Sequence, residues 1–112
     1  MPNKGQKLPK FIAFLSNKNK HQFSEQLLLK HVAHLKRLNK QGKLFLCGPF
    51  TDDKSALQIL NAKNINEAND LVNEDPFIQQ GYYKQVEVKE LIEANADNNW
   101  LMDHPQTEEK RN

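Results

Sequence analysis

Apolar positions along the chain follow two rhythms: short runs suited to strands, and a period near ~3.6 residues suited to helices. The first run, Phe11-Ile12-Ala13-Phe14-Leu15, is apolar without alternation, as expected of a strand covered on both faces. Asn17–His21 is polar and reads as a loop. Ser24 can cap a helix running to about Gln41, with Gly42 at its C-cap. Lys36, Arg37, Lys40 and Lys43 crowd the end of that helix where its dipole favours cations. Leu44–Cys47 is a second strand, broken by Gly48-Pro49. A polar turn, Thr51-Asp52-Asp53-Lys54, joins it to a third strand at Ala56–Ala62, making a hairpin. Asn64 and Glu67 have capping-box spacing and open a shorter helix with Ala68, Leu71 and Val72 on one face. Asp75-Pro76 ends that helix, because a residue before proline avoids the helical region. Tyr82–Leu91 alternates, with Val86 and Val88 on one side and Gln85, Glu87 and Lys89 on the other, and reads as a half-buried strand.

The predicted order is β-α-β-β-α-β, an α+β, ferredoxin-like antiparallel sheet with both helices on one face. Its other face, carrying residues of Phe11–Leu15 and Leu44–Cys47, is too apolar to stand in water, so a homodimer is expected. The organisation reads as a flexible tail over 1–7, one domain over 8–91, and a polar extension over 92–112. In that extension Trp100-Leu101-Met102 is a short apolar anchor expected to dock on the domain or a partner subunit, and residues past Asp103 are expected to be disordered.

Composition narrows the class. The 112 residues, 38% apolar, support one domain with a modest core. A single cysteine, Cys47, forms no internal disulfide, which favours a reducing, cytoplasmic setting. The apolar run after Lys4, Lys7 and Lys10 has five residues, short of the ~7–15 of a signal peptide and far short of the ~20 of a membrane span. Charge is lopsided: ten Lys/Arg against Glu25 alone in residues 1–50, then six against thirteen acids. With two arginines among sixteen basic residues and no aromatic residues interleaved with the lysines, nucleic acid is not an expected partner. Offsetting of the two halves in the fold explains the asymmetry, with some attraction for an anionic small molecule.

The chemistry-bearing positions sit on the helices. At ~100° per residue, Leu27, Leu28, Val32, Leu35 and Leu38 form an apolar stripe; His31 lies within ~30° of its centre and His34 ~90° away. His31 should therefore face the sheet, and His34 should be half exposed at the stripe's edge. Asp75 lies seven, four and three residues after Ala68, Leu71 and Val72, continuing the inward face of the second helix. A histidine among leucines beside a carboxylate is poised between desolvation and charge stabilisation, which makes it a usable acid and base near neutral pH. Each residue also has a plainer reading, His31 as a core histidine and Asp75 as part of an Asp-Pro turn. His31 and His34 with Cys47 or Asp75 do not match a zinc spacing, so no metal is expected. Cys47 in an apolar strand reads as an inert core residue. Gly5, Gly42, Gly48 and Gly81 are scattered, and without a glycine-rich phosphate loop no nucleotide or flavin cofactor is expected.

His31 followed eleven residues later by Gly42-Lys43-Leu44, then Gly48-Pro49, Asn66-Glu67-Ala68, Asp75-Pro76-Phe77, Gly81 and Val86-Glu87-Val88-Lys89 resembles the YCII-related family of the dimeric α+β barrel superfamily, from about Phe11 to Leu91. The resemblance implies a ferredoxin-like fold, a dimer made by packing two sheets, and a histidine/aspartate active site, carried here by His31 and Asp75. It departs from the family pattern at Val32, where leucine is usual, at the second imidazole of His34, and in the long polar tail. Superfamily relatives include lactone isomerases and a dehydrochlorinase of hydroxylated aromatic rings that work by proton transfer. The expected function is thus a cofactor-free lyase or isomerase for a small organic acid or cyclic compound, with Phe14, His34, Pro49 and Phe77 lining its pocket. A non-catalytic, ligand-binding dimer is the alternative.

Overall fold

The computed structural model describes residues 8–103. The tail expected at 1–7 and the end expected past Asp103 lie outside the described residues. The chain runs β1 (Lys10–Lys18), α1 (Glu25–Lys40), β2 (Leu44–Pro49), β3 (Ala56–Asn61), α2 (Ile65–Asn73), a single helical turn α3 (Pro76–Gln79) and β4 (Tyr83–Leu91). The sheet order is β2-β3-β1-β4, with every neighbouring pair antiparallel. This is the expected α+β topology. Each long helix carries the chain past one intervening strand, so both long helices lie on the same face.

Local signals fix the helix starts. The Ser24 hydroxyl accepts a hydrogen bond from the Leu27 N–H at 3.0 Å, and the Asn64 side chain accepts one from Glu67 N–H at 2.9 Å. The Glu67 carboxylate accepts from Lys63 N–H rather than from the cap residue itself, so the box closes one residue early. Gly42, at φ +74°, turns the chain out of α1 in the left-handed region that glycine adopts cheaply. Gly48-Pro49 does not break the second strand. β2 is an edge strand, where proline's missing donor is tolerated, and Pro49 pairs with Ala56.

Strand parity sorts the sheet. Phe11, Ala13 and Leu15 of β1 and Ala56, Gln58 and Leu60 of β3 are buried on the helix side, joined by Leu27, Leu38, Ala68, Leu71 and Val72 from the helices. On the opposite face Phe14, Phe45 and Leu46 are exposed, and neither α1 nor α2 lies on it. Phe14 therefore does not line the helix-side pocket, contrary to expectation. One residue out of step with Ala13 and Leu15, it points through the other face and meets Phe50 at a ring separation of 6.0 Å.

Helix α1 also differs from expectation at His34, which is buried, 1% exposed, alongside Leu27 and Leu38. At ~100° per residue these three fall within ~40° of one another and define the true core face. The stripe's centre had been displaced by Leu28, Val32 and Leu35, which line an open pocket instead. After β4 the chain forms a short 3-10 segment, Ala96–Leu101. Trp100 there is 61% exposed, so it does not dock on its own domain.

Candidate active site

The site begins with a proline. Pro76 forces Asp75 into an extended conformation (φ −67°, ψ 124°) and then starts α3, for which Asp75 is the N-cap. Asp75 Oδ1 accepts from the Phe77 N–H at 2.9 Å, the expected Asp-Pro turn. The same oxygen accepts a second bond from His31 Nδ1 at 2.8 Å, while Oδ2 accepts one from Gln58 Nε2 at 2.8 Å. Structural and functional readings of Asp75 are therefore not rivals, since capping α3 is what aims the carboxylate at α1. The carboxylate is fully buried. Three donors from three elements offset the cost of taking its charge out of water.

His31 sits one turn after Leu27 on α1, where the core face meets the pocket face. Its ring stacks flat on Phe77, with centroids 3.8 Å apart and planes 6° from parallel. Stacking and the Asp75 bond fix both the tilt and the rotation of the imidazole. With Nδ1 donating to the carboxylate, Nε2 has no protein partner among the described residues, and the side chain is 14% exposed to the pocket. The arrangement can hold a neutral imidazole with its proton on Nδ1 and a basic lone pair directed at a ligand.

That pocket, of about 390 Å³, opens between α1 and the ends of β1, β2 and β3. Pro49 and Phe77 stand in its wall with Leu15, Leu28, Val32 and Leu35. His34 does not line it. Its Nε2 has no hydrogen-bond partner among the described residues, and burial pushes the ring's pKa below the ordinary 6.5; Arg37 and His31 add to this, while Asp75 and Glu74 oppose it. Cys47 reaches the wall, where burial, reinforced by the Asp75 charge, pushes its thiol pKa up. The thiol form this favours is a poor nucleophile. No three His, Cys, Asp or Glu side chains converge in a metal-holding group among the described residues.

Three residues of the site escaped the sequence reading. Gln58 carried a signal: it occupies an inward position between Ala56 and Leu60, a polar side chain where parity demands an apolar one. Because its amide nitrogen faces the Asp75 carboxylate, its oxygen is left without a partner among the described residues. Lys18 and Tyr82, at the pocket mouth, carried none. Asn17 adopts a left-handed conformation (φ 57°) that breaks the alternation of β1, so parity misplaces Lys18.

The profile of the YCII-related domain matches residues 10–92, from the first strand through the last. None of the curated proteins compared with the chain matches it in sequence. Among solved structures, it is similar in fold to the 5-chloro-2-hydroxyhydroquinone dehydrochlorinase of Burkholderia phenoliruptrix AC1100 in complex with 2,5-dihydroxybenzoquinone. The TM-score is 0.57 at 21% identity, covering 80% of this chain and 99% of that one.

Proposed function

The chain belongs to the YCII-related family, and from that membership and the pocket's geometry we propose that it is a cofactor-independent lyase or isomerase acting on a small organic acid or cyclic compound. His31 is the general base and then the general acid; Asp75 is its partner. The observation that carries this reading is the 2.8 Å bond from His31 Nδ1 to a fully buried carboxylate, with Nε2 left to the pocket. Similarity of fold to a dehydrochlorinase bound to a quinone supports a small cyclic substrate.

In the proposed cycle Nε2 takes a proton from a C–H or O–H of the substrate. The electron pair left behind either expels a leaving group or shifts a double bond. Asp75 holds the resulting imidazolium by charge and keeps its orientation, as a carboxylate does in a catalytic triad. The proton then passes to the leaving group or returns at a second carbon. The apolar walls keep water from quenching the carbanion-like intermediate. The bare sheet face of Phe14, Phe45 and Leu46 supports a homodimer in which a second copy covers it. The free Cys47 supports a cytoplasmic setting. No helix among the described residues is long and apolar enough to cross a membrane.

The test is proton exchange in D₂O. Wild-type and His31→Ala protein are incubated with a panel of small cyclic acids, lactones and hydroxylated rings, and deuterium incorporation is followed by NMR. The expected result is a substrate exchanged or turned over by the wild type and slowed about 10²–10⁴-fold in the variant. Turnover that survives the loss of His31 intact defeats the reading.

A further inference from the structure

Lys18 ends β1 at the mouth of the pocket, and its side chain is only 8% exposed. An ammonium so far out of water requires partners. Its carboxylate partner is Asp53, at 2.6 Å, on the turn between β2 and β3. The faces of Tyr82 and Tyr83 lie 5.4 and 5.8 Å from Nζ. Burial alone would lower the Lys18 pKa; its contacts with Asp53 and with the two tyrosines outweigh it and push the value up to about 12. The amine is therefore a fixed cation that does not compete with His31 for protons.

Asp53 is held more loosely than the lysine it pairs with. Its side chain is 68% exposed, and Lys20 approaches its other oxygen from solvent at 3.8 Å. If Asp53 left Lys18, it would remain beside a second cation in water. Lys18 would be left facing the pocket without an anion. Asn17 and Asp53 both hold positive φ, at 57° and 63°, and such backbone strain concentrates at ligand clamps. Among the described residues Lys18 is the only Lys or Arg in the pocket wall, and the rest is mainly aliphatic and aromatic.

We propose that Lys18 is the anion anchor of this pocket, and that the molecule it takes is a small, largely apolar monoanion whose carboxylate or oxyanion displaces Asp53 from Lys18 Nζ. The apolar body lies along Leu28, Val32 and Leu35 toward His31. The volume, about 390 Å³, is at the lower end of the ~300–1,000 Å³ usual for ligand pockets, enough for one substituted ring. Asp53 is then a resident counter-ion, keeping Lys18 aimed while the pocket is empty and competing with the ligand. This rests on the pocket being the substrate site, but it is tested by binding alone.

Benzoate and its neutral near-isostere benzamide are titrated into the full chain, with ¹H–¹⁵N NMR of the His31 ring reporting occupancy. The wild type should bind benzoate at least about tenfold more tightly than benzamide, the margin expected of a charge-assisted contact. Lys18→Met should erase that preference and leave benzamide within about twofold. Asp53→Asn should do the opposite and tighten benzoate several-fold, because it removes the competitor. If instead wild type shows no preference, or Asp53→Asn weakens benzoate as Lys18→Met does, the pair is a staple for the turn and the proposal is overturned. Should Lys18→Met fail to fold, Lys18→Arg, expected to keep the preference, and the sign of the Asp53→Asn effect still decide. Charge-selective binding together with undiminished turnover in His31→Ala would sink the catalytic reading while leaving the anchor standing.

Discussion

Helix α1 carries two histidines three residues apart, and their surroundings are opposite. His34 faces the core beside Leu27 and Leu38, and its Nε2 is unpartnered among the described residues. His31 faces the seam between core and pocket, bonded to Asp75 and stacked on Phe77. The same helix divides its leucines in the same way, Leu27 and Leu38 to the core, Leu28 and Leu35 to the pocket wall. A wide apolar stripe is thus two surfaces with different purposes, and the functional histidine stands where they meet.

The contrast breaks most severely at the carboxylate. Asp75→Asn keeps the volume but cannot accept from His31, Phe77 and Gln58 together. Turnover of the substrate found by exchange should fall about 10³–10⁴-fold, as in triads that lose the orienting acid. Losing the charge that strengthens these bonds should cost about 1–3 kcal/mol in urea unfolding. Asp75→Ala, which strips all three donors of their acceptor, should cost about 3–5 kcal/mol. A stable, fully active Asp75→Asn protein would contradict the role given to this residue.

The leucines separate next. Leu38→Ala should destabilise by about 2–5 kcal/mol by opening a core cavity. Leu28→Ala, at a side chain already 38% exposed, should cost under about 1 kcal/mol in unfolding and show itself in ligand affinity instead. Equal losses from the two would erase the distinction between the faces.

His34 gives a smaller, pH-dependent effect. Its folded pKa lies below 6.5, so as the pH falls through that region the unfolded chain takes up a proton that the folded chain resists. Its contribution is therefore nil well above pH 6.5, and stability is lost progressively as pH drops from 6.5 toward the folded value. In His34→Leu this part of the acid-side slope should vanish; unfolding at pH 7.5 and pH 5.0, wild type against variant, measures it. An unchanged slope would mean that His34 is solvated. Smallest of all, Trp100→Ala should change stability by no more than about 0.5 kcal/mol, since the indole is 61% exposed. A larger loss would show that the indole is covered in the assembled protein.

Much of the fold was readable because its signals are local. Ser24 and Asn64 announce their helices, and the alternation in β4 and the hairpin around residues 51–54 follow from period and turn chemistry. The contact of His31 with Asp75 was also legible, through helix phase on one side and, on the other, the resemblance of the Asp-Pro-Phe run to the family's pattern. What failed had nonlocal causes. His34 was misplaced because sequence apolarity does not distinguish a core wall from a pocket wall. Strand parity with Phe11, Ala13 and Leu15 sends Phe14 through the other face, away from the pocket. Lys18 was invisible because a left-handed asparagine, which no pattern announces, turns the strand just before it. Helix α3 leaves in the sequence only the signature of a stop after Asp75, whereas Pro76 both ends one helix and starts the next.

The most direct test is the tautomer of His31, read by ¹⁵N NMR of the neutral imidazole without any substrate. The proton should sit on Nδ1, with Nε2 bearing the lone pair, and Asp75→Ala, which removes the acceptor, should abolish that preference. A ring protonated on Nε2 would leave no base facing the pocket, and an Nδ1–H tautomer indifferent to Asp75 would take from the carboxylate its orienting role.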